Sequence, residues 1–116
     1  MIRFLAKSKI QRVRITDKNL YYEGSITIDE KLMQKADILE GEMVQVININ
    51  NGARFETYAM KGARNSGTIC LNGGTARLGE LGDELIIITY AGLETTRAKK
   101  HKIKKVFVDK ENHIIK

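Results

Sequence analysis

The sequence predicts a small, closed, mainly β fold with one or two short helices. Three observations carry that expectation. Short runs rich in β-branched and aliphatic residues recur along the chain, several of them alternating strictly with polar residues. Glycine-containing turns such as Asn51-Gly52 and Gly82-Asp83 punctuate those runs. Only one stretch, from Glu30 to Leu39, spaces its apolar residues as a helix does. A length of 116 residues indicates one domain over 1–116, and 42% hydrophobic against 29% charged residues indicates a core rather than disorder.

Residues 9–16 alternate, with Ile10, Val13 and Ile15 apolar, and the phase slips once near Gln11. A turn is expected at Asp17-Lys18-Asn19. The next strand runs from Leu20 to Ile28 and places Ser25 and Thr27 on the face opposite Ile26 and Ile28, with Ser25 near the strand start. Asp29 is a helix N-cap, followed by Leu32, Met33, Ala36 and Leu39 on one helical face, and Glu40-Gly41-Glu42 ends the helix. Met43 to Ile49 and Arg54 to Met60 form a hairpin through Asn50-Asn51-Gly52. That return strand puts Arg54, Glu56, Tyr58 and Met60 on one face and Phe55, Thr57 and Ala59 on the other. Thr68 to Leu71 is a short strand closed by Asn72-Gly73-Gly74-Thr75, where paired glycines permit a tight turn or close backbone approach to a ligand. Leu85 to Tyr90 is a continuous apolar run suited to a central strand buried on both faces. Glu94 to Lys105 is a linker or exposed helix, and Lys105–Asp109 pairs with His113–Ile115 as a final strand pair.

Several function classes are excluded or disfavoured. One cysteine, Cys70, rules out an internal disulfide framework and reads as a small core residue, and with two scattered histidines, His101 and His113, it makes no metal site. No apolar run is long enough to cross a bilayer, and the charged start Met1 to Lys7 is not a signal peptide, so a cytoplasmic protein with no membrane partner is expected. The formal charge of +6 allows anionic partners. Lys99, Lys100, Lys102, Lys104 and Lys105 supply much of it in a run without interleaved aromatics, the pattern of a solvated segment rather than a nucleic-acid platform.

The functional reading turns on Gly24-Ser25. Glycine adopts backbone angles closed to residues with a Cβ, so Gly24 can hold its carbonyl strained or exposed, and Ser25 offers a hydroxyl one bond further on. Attack of that hydroxyl on the Gly24 carbonyl converts the amide to an ester. β-Elimination then releases a chain ending at Gly24, and hydrolysis of the resulting dehydroalanine leaves a pyruvoyl cap. In isolation a Gly-Ser pair marks a turn between strands.

Lys9, Tyr22-Glu23-Gly24-Ser25-Ile26-Thr27-Ile28-Asp29, Asn51-Gly52-Ala53-Arg54-Phe55-Glu56-Thr57-Tyr58, Asn72-Gly73 and Gly82-Asp83 before an apolar strand occur together in this order. In this the chain resembles the pyruvoyl-dependent aspartate 1-decarboxylases, from about Met1 to Asp109. The resemblance implies a closed six-stranded double-psi β-barrel and a homotetramer with active sites between adjacent subunits. It also implies self-cleavage between Gly24 and Ser25 into a short β chain (1–24) and a longer α chain (25–116). The activity implied is conversion of L-aspartate to β-alanine and carbon dioxide through a Schiff base with the Ser25-derived pyruvoyl group, in pantothenate biosynthesis. Such a reaction needs an electron sink that none of the twenty side chains provides, and a pyruvoyl group meets that need without pyridoxal phosphate or metal.

Within that resemblance Arg54 holds a substrate carboxylate with its planar fork, and Lys9 binds the other carboxylate or sets the local potential. Tyr58 is the candidate proton donor to Cα after decarboxylation. Thr57 polarises the Gly24 carbonyl before cleavage. Asn72, Gly73, Gly74 and Thr75 form the substrate loop, and Tyr22 and Gln11 are lining candidates. Each has a plainer reading: solvated cations for Arg54 and Lys9, a core or interface tyrosine for Tyr58, a residue of high β propensity for Thr57. Two departures stand out. Many family members carry histidine where this chain has Gln11, which cannot titrate near neutrality, and two alanines where it has Gly74-Thr75. Spontaneous cleavage and cleavage assisted by a maturation factor are both open on the sequence alone. The reading from another class is a non-enzymatic basic β-barrel that binds nucleic acid or a protein partner.

Overall fold

Alternation of apolar and polar residues makes strands of most of the chain in the computed structural model, which describes all 116 residues. The strands are β1 (Ile2–Arg14), β2 (Asp17–Asn19), β3 (Ser25–Asp29), β4 (Met43–Asn48), β5 (Arg54–Gly62), β6 (Ile69–Asn72), β7 (Glu84–Glu94) and β8 (Lys104–Phe107). Two short helices, α1 (Glu30–Lys35) and α2 (Thr95–Ala98), and a 3₁₀ helix over Gly73–Leu78 complete the elements. No helix is long and apolar enough to cross a membrane.

The hydrogen-bonded strand order is β2-β6-β3-β5-β4-β7-β1-β8, so eight strands form the sheet where six are expected. The two additional strands are short and lie at the edges. β2 carries no apolar residue and pairs in parallel with β6, so its three residues give no hydrophobic signal and read from sequence as a turn. β8 pairs in parallel with β1, and the expected final strand pair is a short antiparallel bridge, Val108 to Ile114, in which the Asp109 amide donates to the His113 carbonyl and the Ile115 amide to the Phe107 carbonyl, each at 2.8 Å. The edge strand β2 is tied covalently to β1, the last strand but one at the other side of the order. Only Ile15 and Thr16 separate β1 from β2, and the Thr16 amide donates to the Ile69 carbonyl on β6 over 2.8 Å.

The phase slip near Gln11 is a β-bulge. The register with β7 shifts between Ile10 and Val13, and Arg12 takes φ 63°, so Ile10 and Val13 both reach the core although three residues apart. The strand expected from Leu20 begins only at Ser25, after a turn and bend through Tyr22. Asp29 caps α1, its carboxylate accepting the Lys31 amide. The helix is shorter than expected. Asp37 turns into the left-handed region at φ 58°, the Ile38 amide donates back to the Met33 carbonyl, and Ile38 is buried while Leu39 is left exposed.

The core gathers Ile10, Val13, Ile26, Ile28, Val44, Val46, Leu71, Leu85 and Ile87 from the strands, with Leu32 and Met33 from α1. β7 lies between β4 and β1, a central strand as the apolar run requires. For β3 the consequence is local. Ile26 and Ile28 are fully buried, each worth about 1.5–3 kcal/mol of apolar burial, which fixes the strand and with it the opposite face that carries Ser25 and Thr27.

Candidate active site

β3 and β6 run antiparallel, with Ser25 opposite Asn72 and Thr27 opposite Cys70. Residues two apart share a face of a strand, so these four side chains form one polar cluster on an otherwise apolar ladder. Ser25 is 1% exposed and Asn72 4%. Asn72 Nδ2 donates to Ser25 Oγ and to Thr27 Oγ1, both at 2.9 Å, and Cys70 Sγ donates to Asn72 Oδ1 at 3.3 Å. Burial first, and the nearby Asp17 carboxylate second, push the Cys70 thiol up from its ordinary value, so it keeps its proton.

The loop after β6 presses on the segment before Ser25. Gly73 holds φ 63°, and a Cβ there would stand 2.8 Å from Gly24 Cα, Gly24 N and the Tyr22 carbonyl oxygen. The close approach allowed by paired glycines is therefore made to the chain's own backbone at Gly24. Gly24 itself has open space where a Cβ would stand and is not among the glycines of positive φ. The left-handed glycine of this site is Gly73, which must turn the chain out of β6 while lying against Gly24. Thr75 Oγ1 lies 2.7 Å from the Asn72 carbonyl and 3.3 Å from the Ser25 carbonyl. Gly74 is exposed.

At the far end of β3 the buried Asp29 fixes the strand. Its Oδ1 accepts the amides of Lys31 and Asn65, and its Oδ2 accepts that of Gly67, at 2.8–2.9 Å. β3 is thus held at both ends by side chains, with the Gly24–Ser25 bond just outside the near end.

The other candidates divide into two groups. β3 pairs in parallel with β5 from Ile26 opposite Ala59. One residue back along each strand stand Ser25 and Tyr58, and two back stand Gly24 and Thr57, so both β5 candidates lie at the end of the ladder that carries the bond. Thr57 is half-buried and makes no hydrogen bond to Gly24, while Tyr58 is 37% exposed on the opposite face, as alternation requires. Lys9 and Gln11 are half-buried on β1, and along the sheet order β5, β4 and β7 stand between them and β3. Arg54 opens β5 across from Ile47, exposed and without an ion pair, beyond the stretch that pairs with β3. Tyr22 points its ring outward, 56% exposed, and contributes its carbonyl to the Gly73 contact.

One chain therefore brings together Ser25, Gly24, Asn72, Gly73 and Thr75 and leaves Lys9, Gln11 and Arg54 elsewhere. The largest surface hollow, about 630 Å³ lined by Glu30, Met33, Ile38, Lys61 and Arg64, lies beside α1, which follows the other end of β3. Thr27 and Cys70 are the members of the polar cluster that sequence reasoning missed. The signal was present in the alternation, since any residue paired across from Ser25 or Thr27 faces the same side, but the β3–β6 register that brings them together is a long-range feature.

The aspartate decarboxylase family model matches residues 1–115. An aspartate 1-decarboxylase of Thermoanaerobacter pseudethanolicus is 60% identical over 112 residues, covering 97% of this chain and 96% of that protein. One of Heliobacterium modesticaldum is 54% identical over 115 residues, covering 99% and 87%. One of Kosmotoga olearia is 60% identical over 106 residues, covering 91% and 92%. With a family match that stops one residue short of the end and relatives more than half identical over nearly the whole chain, this chain belongs to the aspartate decarboxylase family.

Proposed function

We infer that this chain decarboxylates L-aspartate to β-alanine, the reaction named for its relatives and the source of the β-alanine used in pantothenate biosynthesis. The family match favours this over a non-enzymatic basic barrel that binds nucleic acid or a protein. The observation that carries the reading is the buried Ser25 hydroxyl, held by Asn72 beside the backbone of Gly24, which Gly73 packs against.

In this reading the chain cuts itself between Gly24 and Ser25. Ser25 Oγ bonds to the Gly24 carbonyl carbon, the C–N bond breaks, and the hydroxyl proton ends on the Ser25 nitrogen. Loss of the Cα proton then expels the Gly24 carboxylate from Cβ, and water replaces the nitrogen as ammonia. The products are a 24-residue chain and a longer chain from residue 25 capped by a pyruvoyl group. The surroundings of Ser25 fit that group, because the Thr75 hydroxyl lies 3.3 Å from the Ser25 carbonyl, the oxygen on which negative charge develops. When formed, the group supplies a carbonyl that takes the substrate amine and draws off the electrons left as carbon dioxide departs. Arg54 and Lys9 bind the two carboxylates of the substrate, and Tyr58 returns a proton to Cα. Thr57 stands level with Gly24 on the neighbouring strand, and in this reading its hydroxyl, which makes no hydrogen bond to Gly24 before the reaction, turns onto the Gly24 carbonyl during cleavage.

The separation of Lys9 and Arg54 from Ser25 within one chain supports a homotetramer whose sites form between subunits. Tyr58 and its cross-strand neighbour Met43, 62% exposed, offer apolar surface for that contact. The two-residue link between β1 and β2 supports closure of the sheet into a double-psi barrel with six core strands. A cytoplasmic location accords with this role. Mass spectrometry of the purified protein tests the central claim. Two fragments divided at Gly24–Ser25, with carbon dioxide released from aspartate and neither seen in Ser25→Ala, are expected; a chain that stays at full length through long incubation and releases no carbon dioxide sinks the reading.

A further inference from the structure

We propose that Cys70 and Thr27 are positioning residues for cleavage of the Gly24–Ser25 bond, acting through the side-chain amide of Asn72. This rests on the self-cleavage reading above and deepens it.

The amide is held at every polar atom. Its two N–H groups donate to Ser25 Oγ and Thr27 Oγ1, and its carbonyl accepts from the Cys70 thiol. Register explains the arrangement, since Thr27 and Cys70 stand directly opposite each other and Ser25 and Asn72 form the next pair on the same face. No buried side-chain nitrogen or oxygen in the protein lacks a partner, so the cluster is closed. Turning the amide over would force both hydroxyls to donate to one oxygen and set the NH₂ group against sulfur, a weak acceptor. Thr27 and the protonated Cys70 therefore select one orientation of the amide.

That orientation matters for the reaction. Oγ must shed its proton to attack, so negative charge builds on it before passing to the Gly24 carbonyl oxygen as the bond forms. An N–H pointing at Oγ supports that charge and leaves the hydroxyl proton free to depart, whereas a carbonyl oxygen in its place would hold the proton and repel the charge. Removing the Cys70 donor leaves a buried Asn72 Oδ1 unpaired, which favours the turned-over amide. Cys70 touches neither the scissile bond nor Ser25 in any hydrogen bond; its effect passes through Asn72.

The test measures the rate of cleavage of purified, uncut chain by intact-mass spectrometry for the parent, Cys70→Ala and Cys70→Ser, with melting temperatures as a check on folding. Cys70→Ala is expected to cleave on the order of fivefold more slowly or worse, about the rate equivalent of one hydrogen bond. Cys70→Ser, which restores a donor of similar size, is expected to return to within about twofold of the parent. A structural role alone does not predict rescue by serine. Equal rates in all three, or equal slowing in both variants, overturns the proposal. Should Cys70→Ala not fold, Thr27→Val and Thr27→Ser decide in the same way, the first removing the acceptor and the second keeping it. If the parent itself never cleaves, the self-cleavage reading falls and takes this inference with it, an outcome distinct from cleavage that ignores Cys70 and Thr27.

Discussion

Asn72 and Ser25, 47 residues apart in sequence, meet as a buried pair in which the amide donates to the hydroxyl over 2.9 Å. A serine hydroxyl is a weak nucleophile, and what it gains from this contact is a fixed rotamer and a donor ready for charge on Oγ. Asn72→Ala is therefore expected to slow cleavage at Gly24–Ser25 at least about tenfold, the equivalent of roughly 1.4 kcal/mol in the barrier. Time-resolved intact mass gives the rate, and a variant cleaving as fast as the parent contradicts a supporting role for the amide.

Gly73 and Gly74 are adjacent yet predict opposite outcomes. A Cβ at Gly73 meets the Gly24 backbone at 2.8 Å in a left-handed conformation, whereas a Cβ at Gly74 meets nothing within 4 Å. Gly73→Ala is expected to lose about 2 kcal/mol or more of stability, from backbone strain and displacement of the Gly24 segment, and to disturb cleavage as well. Gly74→Ala is expected within about 0.5 kcal/mol of the parent. Chemical denaturation of both in the uncut Ser25→Ala background measures the difference without interference from processing.

These residues show how unevenly the protein is written in its sequence. Ser25 at a strand start, Asp29 as a cap and the Asn-Gly hairpin were legible because each depends on neighbours within a few positions. β2 was not, since Asp17-Lys18-Asn19 buries nothing and is a strand only through its parallel partner β6. The same limit applied to Cys70. As the sole cysteine it reads as a small core residue, whereas it is half-buried, and only the register of β3 on β6 brings its thiol to Asn72. Leu39 misled for a different reason, because one left-handed residue at Asp37 broke the helical phase.

Asp83 gives a prediction with a definite sign. Its Oδ2 accepts the Asn48 side-chain amide and the Glu80 backbone amide, each at 2.9 Å, and these bonds hold its carboxyl below the ordinary carboxylate value. A group with a depressed folded pKa contributes stability that is complete above its unfolded value, about 4, and is lost as the pH falls through its lower folded value. The parent is thus expected to lose stability in that acid window more steeply than Asp83→Asn. Urea denaturation of both chains from about pH 6 down to about pH 2.5, a range that brackets the unfolded value, checks this, and parallel curves argue against any contribution from the carboxylate.

Variants of Arg54 test binding apart from processing. It stands exposed at the start of β5, without an acidic partner and beyond the stretch of that strand paired with β3, so its guanidinium is free for a substrate carboxylate and has no contact with Ser25. Arg54→Lys keeps the charge but loses the fork of two parallel donors, and Arg54→Ala loses both. Cleavage at Gly24–Ser25 is expected to proceed at the parent rate in both variants. Decarboxylation of aspartate is expected to fall in kcat/KM by roughly 10- to 100-fold in Arg54→Ala, as befits loss of a charge-assisted contact, with most of the change in KM and a smaller loss in Arg54→Lys. Fully cleaved Arg54→Ala with an unchanged KM assigns the carboxylate to another cation, and Lys9→Ala measured beside it identifies whether that cation is Lys9.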